Sequence, residues 1–176
     1  MKSFPFYTQL DAMDCGPTCL RMIAKYYGKS YSLQTLRARS FITRNGVSML
    51  GISDAAESIG LRTMGASTSI EQLVNDIPLP CILHWRQCHF VVCYGIKKKK
   101  DGYWFQVADP GLQLVTYNET EFKNCWLSTK KEGEERGLLL ALEPGPDFYD
   151  KEDEGETKER KLSFFIKYLT PYKKQL

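Results

Sequence analysis

The sequence predicts an α+β domain, with a helical half first and an antiparallel sheet half second. Two patterns carry this expectation. Between Asp14 and Gly60 apolar residues recur at helical spacing, and from Pro78 onward the pattern becomes short β-branched and aromatic runs divided by turn residues. The totals agree: 176 residues, 43% hydrophobic and 26% charged, suit one soluble domain with a sizeable core.

The elements follow in order. After Asp14, the apolar positions Cys19, Leu20, Ile23, Ala24 and Tyr27 form one helical stripe, and Gly28 is a natural stop. "SLQTLRA" from Ser32 predicts a short second helix. "SMLGISDAAESIG" predicts a third, with Leu50, Ile52, Ala55, Ala56 and Ile59 apolar and Gly60 ending it. A strand-like "LRTMGA" comes next, then "SIEQLVNDI", where Ser69 and Gln72 have capping-box spacing. The sheet half reads as "PCILHW", "HFVVCYGI", "YWFQVAD", "LQLVTY" and "GLLLALE", with "KKKKDG" as a solvated hairpin connection and Asn118 to Cys125 as one more short helix.

Composition narrows the function classes. Lys and Arg number 24 against 21 Asp and Glu, a formal charge of +3, which gives no argument for a nucleic-acid partner. Six cysteines in a chain of this size, behind an N-terminus without an apolar run, predict reduced thiols rather than a disulfide framework. No stretch approaches the ~20 apolar residues that span a bilayer, so the chain as given reads as soluble.

The chemistry centres on "QLDAMDCGPTCLRMIAKYYG". Cys15 sits where a helix begins, and unpaired N–H groups and the helix dipole favour an anion there. Pro17 fits this start because its missing N–H costs nothing in the first turn. A thiol also needs an imidazole to form the ion pair and later protonate the leaving group. Of two histidines, His89 opens a strand, so its side chain is expected at a sheet edge facing the helix, with Val91 and Cys93 on the same face. His84 reads as a partly buried structural residue. Asp109 ends the following strand, one hairpin from His89, where it would orient the base. For the oxyanion hole, the Cys15 backbone N–H is one donor and the Gln9 amide, on the extended segment entering the helix, is the other.

Bland readings compete at each position: a helix-starting cysteine is often inert and Asp-Pro-Gly is often only a turn. A zinc site would use Cys81, His84, Cys88, His89 and Cys93. On strands, however, His89 and Cys93 lie roughly 13 Å apart and Cys81 and His84 face opposite sides, so no metal is expected. Cys19, Cys81 and Cys93 read as small core residues, and Cys88 and Cys125 as exposed.

Gln9, "DCGPTCLRMIAKYYG", "HFVV" and "ADPG" together resemble, in order and spacing, the N-terminal cysteine peptidase domain of bacterial peptidase-containing ABC transporters, which process double-glycine leader peptides of bacteriocins and related precursors. The resemblance covers about residues 1 to 142. It implies a papain-like fold with Cys15 as nucleophile, His89 as base, Asp109 as orienting residue and Gln9 in the oxyanion hole. It further implies cleavage after a Gly-Gly or Gly-Ala pair, on the cytoplasmic side of the bacterial membrane, with a precursor peptide as partner. The transmembrane and ATP-binding domains of the same transporter, a homodimer at full length, would be the other partners. ATP and magnesium would belong to that ATP-binding part, and the peptidase itself would need no cofactor. Thr18 stands where the family commonly has alanine.

Residues 143 to 160 read as a flexible linker, since residues 143 to 159 carry eight acidic and two basic residues and little to bury. Residues 161 to 176 contain "KLSFFIKYLTPYKKQL", an amphipathic segment leading toward a transmembrane domain. An amphipathic leader helix would need an apolar groove, for which Met49, Leu50 and Ile52 are candidates and equally plausible core. Three other functions stay open on the residues: a catalytically silent leader-docking module, a papain-like acyl transferase, and a metal-binding module.

Overall fold

A computed structural model of the chain describes residues 3–44 and 46–152. Its helical half consists of a 3-10 turn at Ala12–Asp14 running straight into α1 (Cys15–Tyr26), then α2 (Leu33–Arg39) and α3 (Met49–Ser58). β1 (Leu61–Thr68) and α4 (Ile70–Asp76) lead into the sheet half. That half comprises β2 (Cys81–Trp85), β3 (His89–Lys99), β4 (Gly102–Ala108), β5 (Leu114–Asn118), α5 (Glu119–Trp126), β6 (Leu127–Lys131) and β7 (Glu134–Pro144).

The strands form one antiparallel sheet in the order β1-β7-β2-β3-β4-β5, with β6 paired to β7. Two cores flank it. On one face α1, α2 and α3 pack Leu20, Met22, Ile23, Leu36 and Ile52 against Ile82, Phe90, Val92 and Leu140. The other face buries Leu83, Trp85, Val91, Cys93, Phe105 and Val107 with Phe122 and Trp126 of α5. The three-dimensional order of elements is the α+β plan that the change of period predicts.

Local chemistry accounts for the element boundaries. Ser32, Ser48, Ser69 and Asn118 each accept a backbone N–H at the start of α2, α3, α4 and α5, and Ser69 with Gln72 forms the expected capping box. A side chain on Gly16 would start 2.4 Å from Val47 Cγ1 and 2.7 Å from Ile52 Cδ1, so glycine is what lets α1 lie this close to α3.

One strand went unread and one expectation needs correction. β6 has no sequence signal, because "LSTKK" is polar, does not alternate, and is held only by pairing along β7. The acidic composition also starts the linker too early. Glu143 and Pro144 belong to β7, the Gly145 N–H donates to Gly60 O at 2.9 Å, and Phe148 is fully buried in the helical-face core. One aromatic in an acidic stretch is enough to anchor the backbone around it. The amphipathic segment 161–176 lies outside the described residues. Among the described residues no helix is long and apolar enough to cross a membrane.

Candidate active site

Cys15 is the first residue of α1 and is 6% exposed. His89 arrives from the sheet. Trp85 of β2 pairs with His89, and Val92 of β3 pairs with Ala108 of β4, so His89 and the residue just past β4, Asp109, meet at the same end of the sheet. His89 Nε2 and Asp109 Oδ1 are 2.7 Å apart. The same carboxylate oxygen accepts the Gly111 N–H at 2.9 Å, which closes the Asp109-Pro110-Gly111 turn around it.

The face prediction for β3 is corrected. Val91 and Cys93 lie in the core away from α1, and the residues packing on the helical face are Phe90 and Val92. His89 alternates with Val91 and meets Cys15 because it is the first residue of the strand, at the open end of the sheet.

The electrostatics fit an ion pair. Burial pulls the His89 pKa down, but hydrogen bonds to Asp109 and Cys15 and the negative charge on both outweigh it, raising it from 6.5 to about 9. The imidazole is therefore protonated at neutral pH. Burial alone would raise the Asp109 pKa, yet the His89 hydrogen bond, the Gly111 N–H and the charges of His89 and Arg86 bring it below its usual value. With Nε2 engaged by Asp109, Nδ1 is the ring nitrogen left to face the thiol.

Gln9 joins the same group. Its backbone N–H donates to Pro110 O at 2.9 Å, which ties the segment entering α1 to the Asp109 turn. Its Oε1 is buried and has no hydrogen-bond partner among the described residues. A Cβ built on Gly111 would lie 3.4 Å from Asp109 Oδ1, 3.6 Å from Gln9 Oε1 and 3.7 Å from His89 Cε1. A methyl there is ordinary contact, and anything larger would press on all three residues.

The remaining cysteines and the second histidine sit elsewhere. Cys19, one turn along α1, is fully buried and its thiol donates to Phe90 O at 3.3 Å; burial, with the nearby negative charge of Cys15 and Asp109, pushes its pKa well up. Cys81 and Cys93 face each other across β2 and β3, and burial raises the Cys93 pKa to about 12. Cys88 is exposed and Cys125 half-buried. His84 packs against the Phe90 ring at 5.2 Å, and burial lowers its pKa. Among the described residues no three His, Cys, Asp or Glu side chains converge as a metal site would require.

Three contributors went unread in the sequence. Gly111 lies inside "ADPG" but supplies an N–H to Asp109, Arg86 of the β2–β3 turn lends Asp109 its charge, and Arg37 of α2 pairs with Asp14 beside Cys15. Only the Asp-Pro-Gly turn left a local signal; the two arginines are brought in by tertiary structure.

Comparison with known proteins places the chain in a family. Residues 3–131 match the model of the peptidase C39 family. The chain is 34% identical over 144 residues to the probable microcin-H47 secretion/processing ATP-binding protein MchF of Escherichia coli, covering 82% of this chain and 19% of that protein. It thus spans about a fifth of the length of the curated relatives it matches. Among solved structures, a double glycine motif protease from an AMS/PCAT transporter, in complex with the leader peptide, superposes with a TM-score of 0.70 at 30% identity, over 80% of this chain and 91% of that one. The peptidase domain of Streptococcus ComA, a bifunctional ABC transporter involved in a quorum sensing pathway, superposes with a TM-score of 0.67 at 27% identity, over 81% and 99%. With a thiol at a helix start, an imidazolium beside it and a carboxylate behind that, on a fold shared with these peptidases, the chain belongs to the peptidase C39 family of cysteine proteases.

Proposed function

We propose that the domain is a cysteine endopeptidase that removes the leader of a secreted precursor after a double-glycine-type pair, as the first part of a longer peptide exporter. The single observation that carries this is the Cys15–His89–Asp109 arrangement, with its imidazole held by a 2.7 Å contact to Asp109 and near enough to Cys15 for that thiol to raise its pKa. Its reported likenesses to processing transporters and to a leader-bound protease direct the choice of substrate.

The proposed steps use these residues in turn. The Cys15 thiolate attacks the carbonyl carbon of the residue before the cut, forming a C–S bond and an oxyanion that the Cys15 N–H and the Gln9 amide stabilise. His89 gives its proton to the departing nitrogen, the C–N bond breaks, and the leader remains as a thioester. Water then attacks this thioester with His89 as base, releasing the leader carboxylate and restoring the thiol. The sequence of steps needs no metal or cofactor. ATP and magnesium would serve the ATP-binding part of the longer protein, whose transmembrane and ATP-binding domains are the proposed intramolecular partners on the cytoplasmic side of the membrane.

A surface for the leader helix is also proposed. Ile52 is fully buried, so the candidate trio of Met49, Leu50 and Ile52 is split, with Leu50 exposed. A cavity of about 630 Å³ between Leu10 and α2 fits better, lined by Leu33, Ala38, Phe41 and Ile42 as well as Leu10, with Gln34 and Arg37 as its polar members. Leu10 directly follows Gln9, and Leu10 and Phe41, both exposed, line this cavity together as one apolar patch.

Incubating a double-glycine precursor with the protein under reducing conditions and weighing the products tests the proposal. A single cut after the small pair, lost in Cys15→Ala, is expected. Binding without product would make the domain a docking module, and incorporation of an amine into a glutamine peptide would make it an acyl transferase.

A further inference from the structure

The four lysines at 97–100 are more than a connection between strands. β3 continues through them to Lys99, and Lys97, Lys98 and Lys99 pair with Trp104, Tyr103 and Gly102 of β4. β2 accompanies β3 only from His89 to Cys93, so beyond Cys93 the β3–β4 hairpin runs on as an arm with no strand on that side. All four lysines are exposed, and among the described residues none of them forms an ion pair. The carboxylates close to them are engaged: Asp101 accepts the Trp104 indole N–H at 3.1 Å, while Glu119 accepts the Tyr103 N–H at 3.3 Å and holds Lys123 at 2.6 Å. Lys99 Nζ lies 3.8 Å from the centre of the Trp104 ring, and Lys98 Nζ 5.8 Å from that of Tyr103. The arm thus carries four cations and two aromatic rings against one carboxylate of its own.

Register fixes where the arm points. Ala141 of β7, Cys81 of β2 and Cys93 of β3 lie in one row, so Pro144, at the end of β7, and the lysines of β3 share the end of the sheet opposite His89. The chain stays at that end: the Gly145 N–H donates to Gly60 O, and Lys151 O accepts from Lys29, just past the end of α1 remote from Cys15. Residues 153 to 176 continue from there, while the arm tip stands about 30 Å from His89 along β3. We propose that this arm is a contact for an anionic membrane, its ammonium groups meeting lipid phosphates beside the rings of Trp104 and Tyr103. The proposal rests on the domain being the first part of a membrane exporter, since the chain leading to the membrane leaves from this end. A compact lysine charge pairs with phosphate without a fixed geometry, and basic clusters beside a membrane bind its acidic leaflet. Glu143, Asp147, Asp150 and Glu152 share this end of the sheet but belong to β7 or follow it, two strands from β3. They make the acidic segment 150–159 the competing occupant. Lysines also discourage pairing at a bare strand edge, a role that needs charge but not its sign.

The test is co-sedimentation of the full chain with vesicles of phosphatidylcholine, with and without added phosphatidylglycerol. Wild type is expected to bind the anionic vesicles, less so at high salt, and K97E/K98E/K99E/K100E to bind them about tenfold more weakly or worse. Reversing the sign keeps the strand edge charged, so a role confined to the edge predicts no loss. As a control, K130E/K131E reverses two lysines where β6 meets β7, at the catalytic end of the sheet, and should change binding at most about twofold. Unchanged binding in the quadruple variant, an equal loss in the control, or a wild type that ignores anionic vesicles overturns the proposal. So does a wild type that binds a peptide of residues 150 to 159 in place of vesicles, which would make the arm a seat for the chain's own acidic segment. Should the quadruple variant fail to fold, K98E/K100E leaves Lys99 on Trp104 and is expected to weaken binding about threefold; no loss there overturns the proposal. Leader cleavage is measured separately in solution. Vesicle binding that depends on the arm, in a chain that cleaves no leader, keeps the contact and removes the peptidase reading, and cleavage without vesicle binding does the reverse.

Discussion

The two faces of the sheet both bury cysteines, and only one of them sets a thiol at a helix start beside a histidine. On the face packed by α5, Cys81 and Cys93 sit opposite each other among Leu83, Val91 and Phe105, and burial drives the Cys93 pKa to about 12. On the face packed by α1, Cys15 is nearly as buried, but it starts a helix and lies beside an imidazole whose pKa is raised to about 9. Cys19 lies one turn away on the same helix without these neighbours, and its thiol is spent on the Phe90 carbonyl. Burial among apolar side chains raises the pKa of Cys93, and Cys15 differs from it in standing at a helix start beside His89.

The sharpest way to break this contrast is Cys15→Ala, which should reduce leader cleavage by about 10⁴-fold or more while circular dichroism stays native. Comparable loss in Cys93→Ala would mean that the second face takes part in the chemistry. Next in size, Gln9→Ala should lower kcat about 10²-fold with little change in KM, as expected for a donor used mainly in the transition state. An increase in KM alone would move Gln9 from the oxyanion to substrate binding.

Asp109→Asn should cost roughly 10²-fold, and its pH profile carries more information than its size. With the His89 pKa at about 9, wild-type cleavage should hold at neutral pH and fall as the imidazolium loses its proton around pH 9. Losing the carboxylate removes a group that raises this pKa, so the alkaline limb should move to lower pH. Stability follows the same sign. The folded His89 pKa lies above its ordinary 6.5, so its contribution is complete below pH 6.5 and disappears as the pH rises through about 9. For Asp109 the folded value is depressed, and its contribution is lost as the pH falls through that lower value. The smallest expected effect is that of Cys93→Ala itself, with kcat/KM within about twofold of wild type and a modest loss of stability from the small cavity.

How much was legible depends on how local each signal is. The order of helices and strands, the capping box at Ser69, the start of α1 at Cys15 and the hairpin linking His89 to Asp109 are written in short stretches, since period and turn chemistry act over a few residues. β6 was not readable, because its polar residues are in a strand only through pairing with β7. Nor was the packing of Phe148, whose acidic neighbours mask the one side chain that reaches the core.

The sequence by itself determined which residues had the right chemistry: one thiol at a helix start, one histidine at a strand start, one aspartate in a turn and a glutamine just upstream. Tertiary structure alone decided how they are tuned. It brought Gly111 N–H onto Asp109, lent Arg86's charge to the same carboxylate, and paired the Asp14 side chain with Arg37. Each of these depends on distance in space between residues that local rules treat as unrelated, and electrostatic tuning of a thiol is set by such distances rather than by neighbours in the chain.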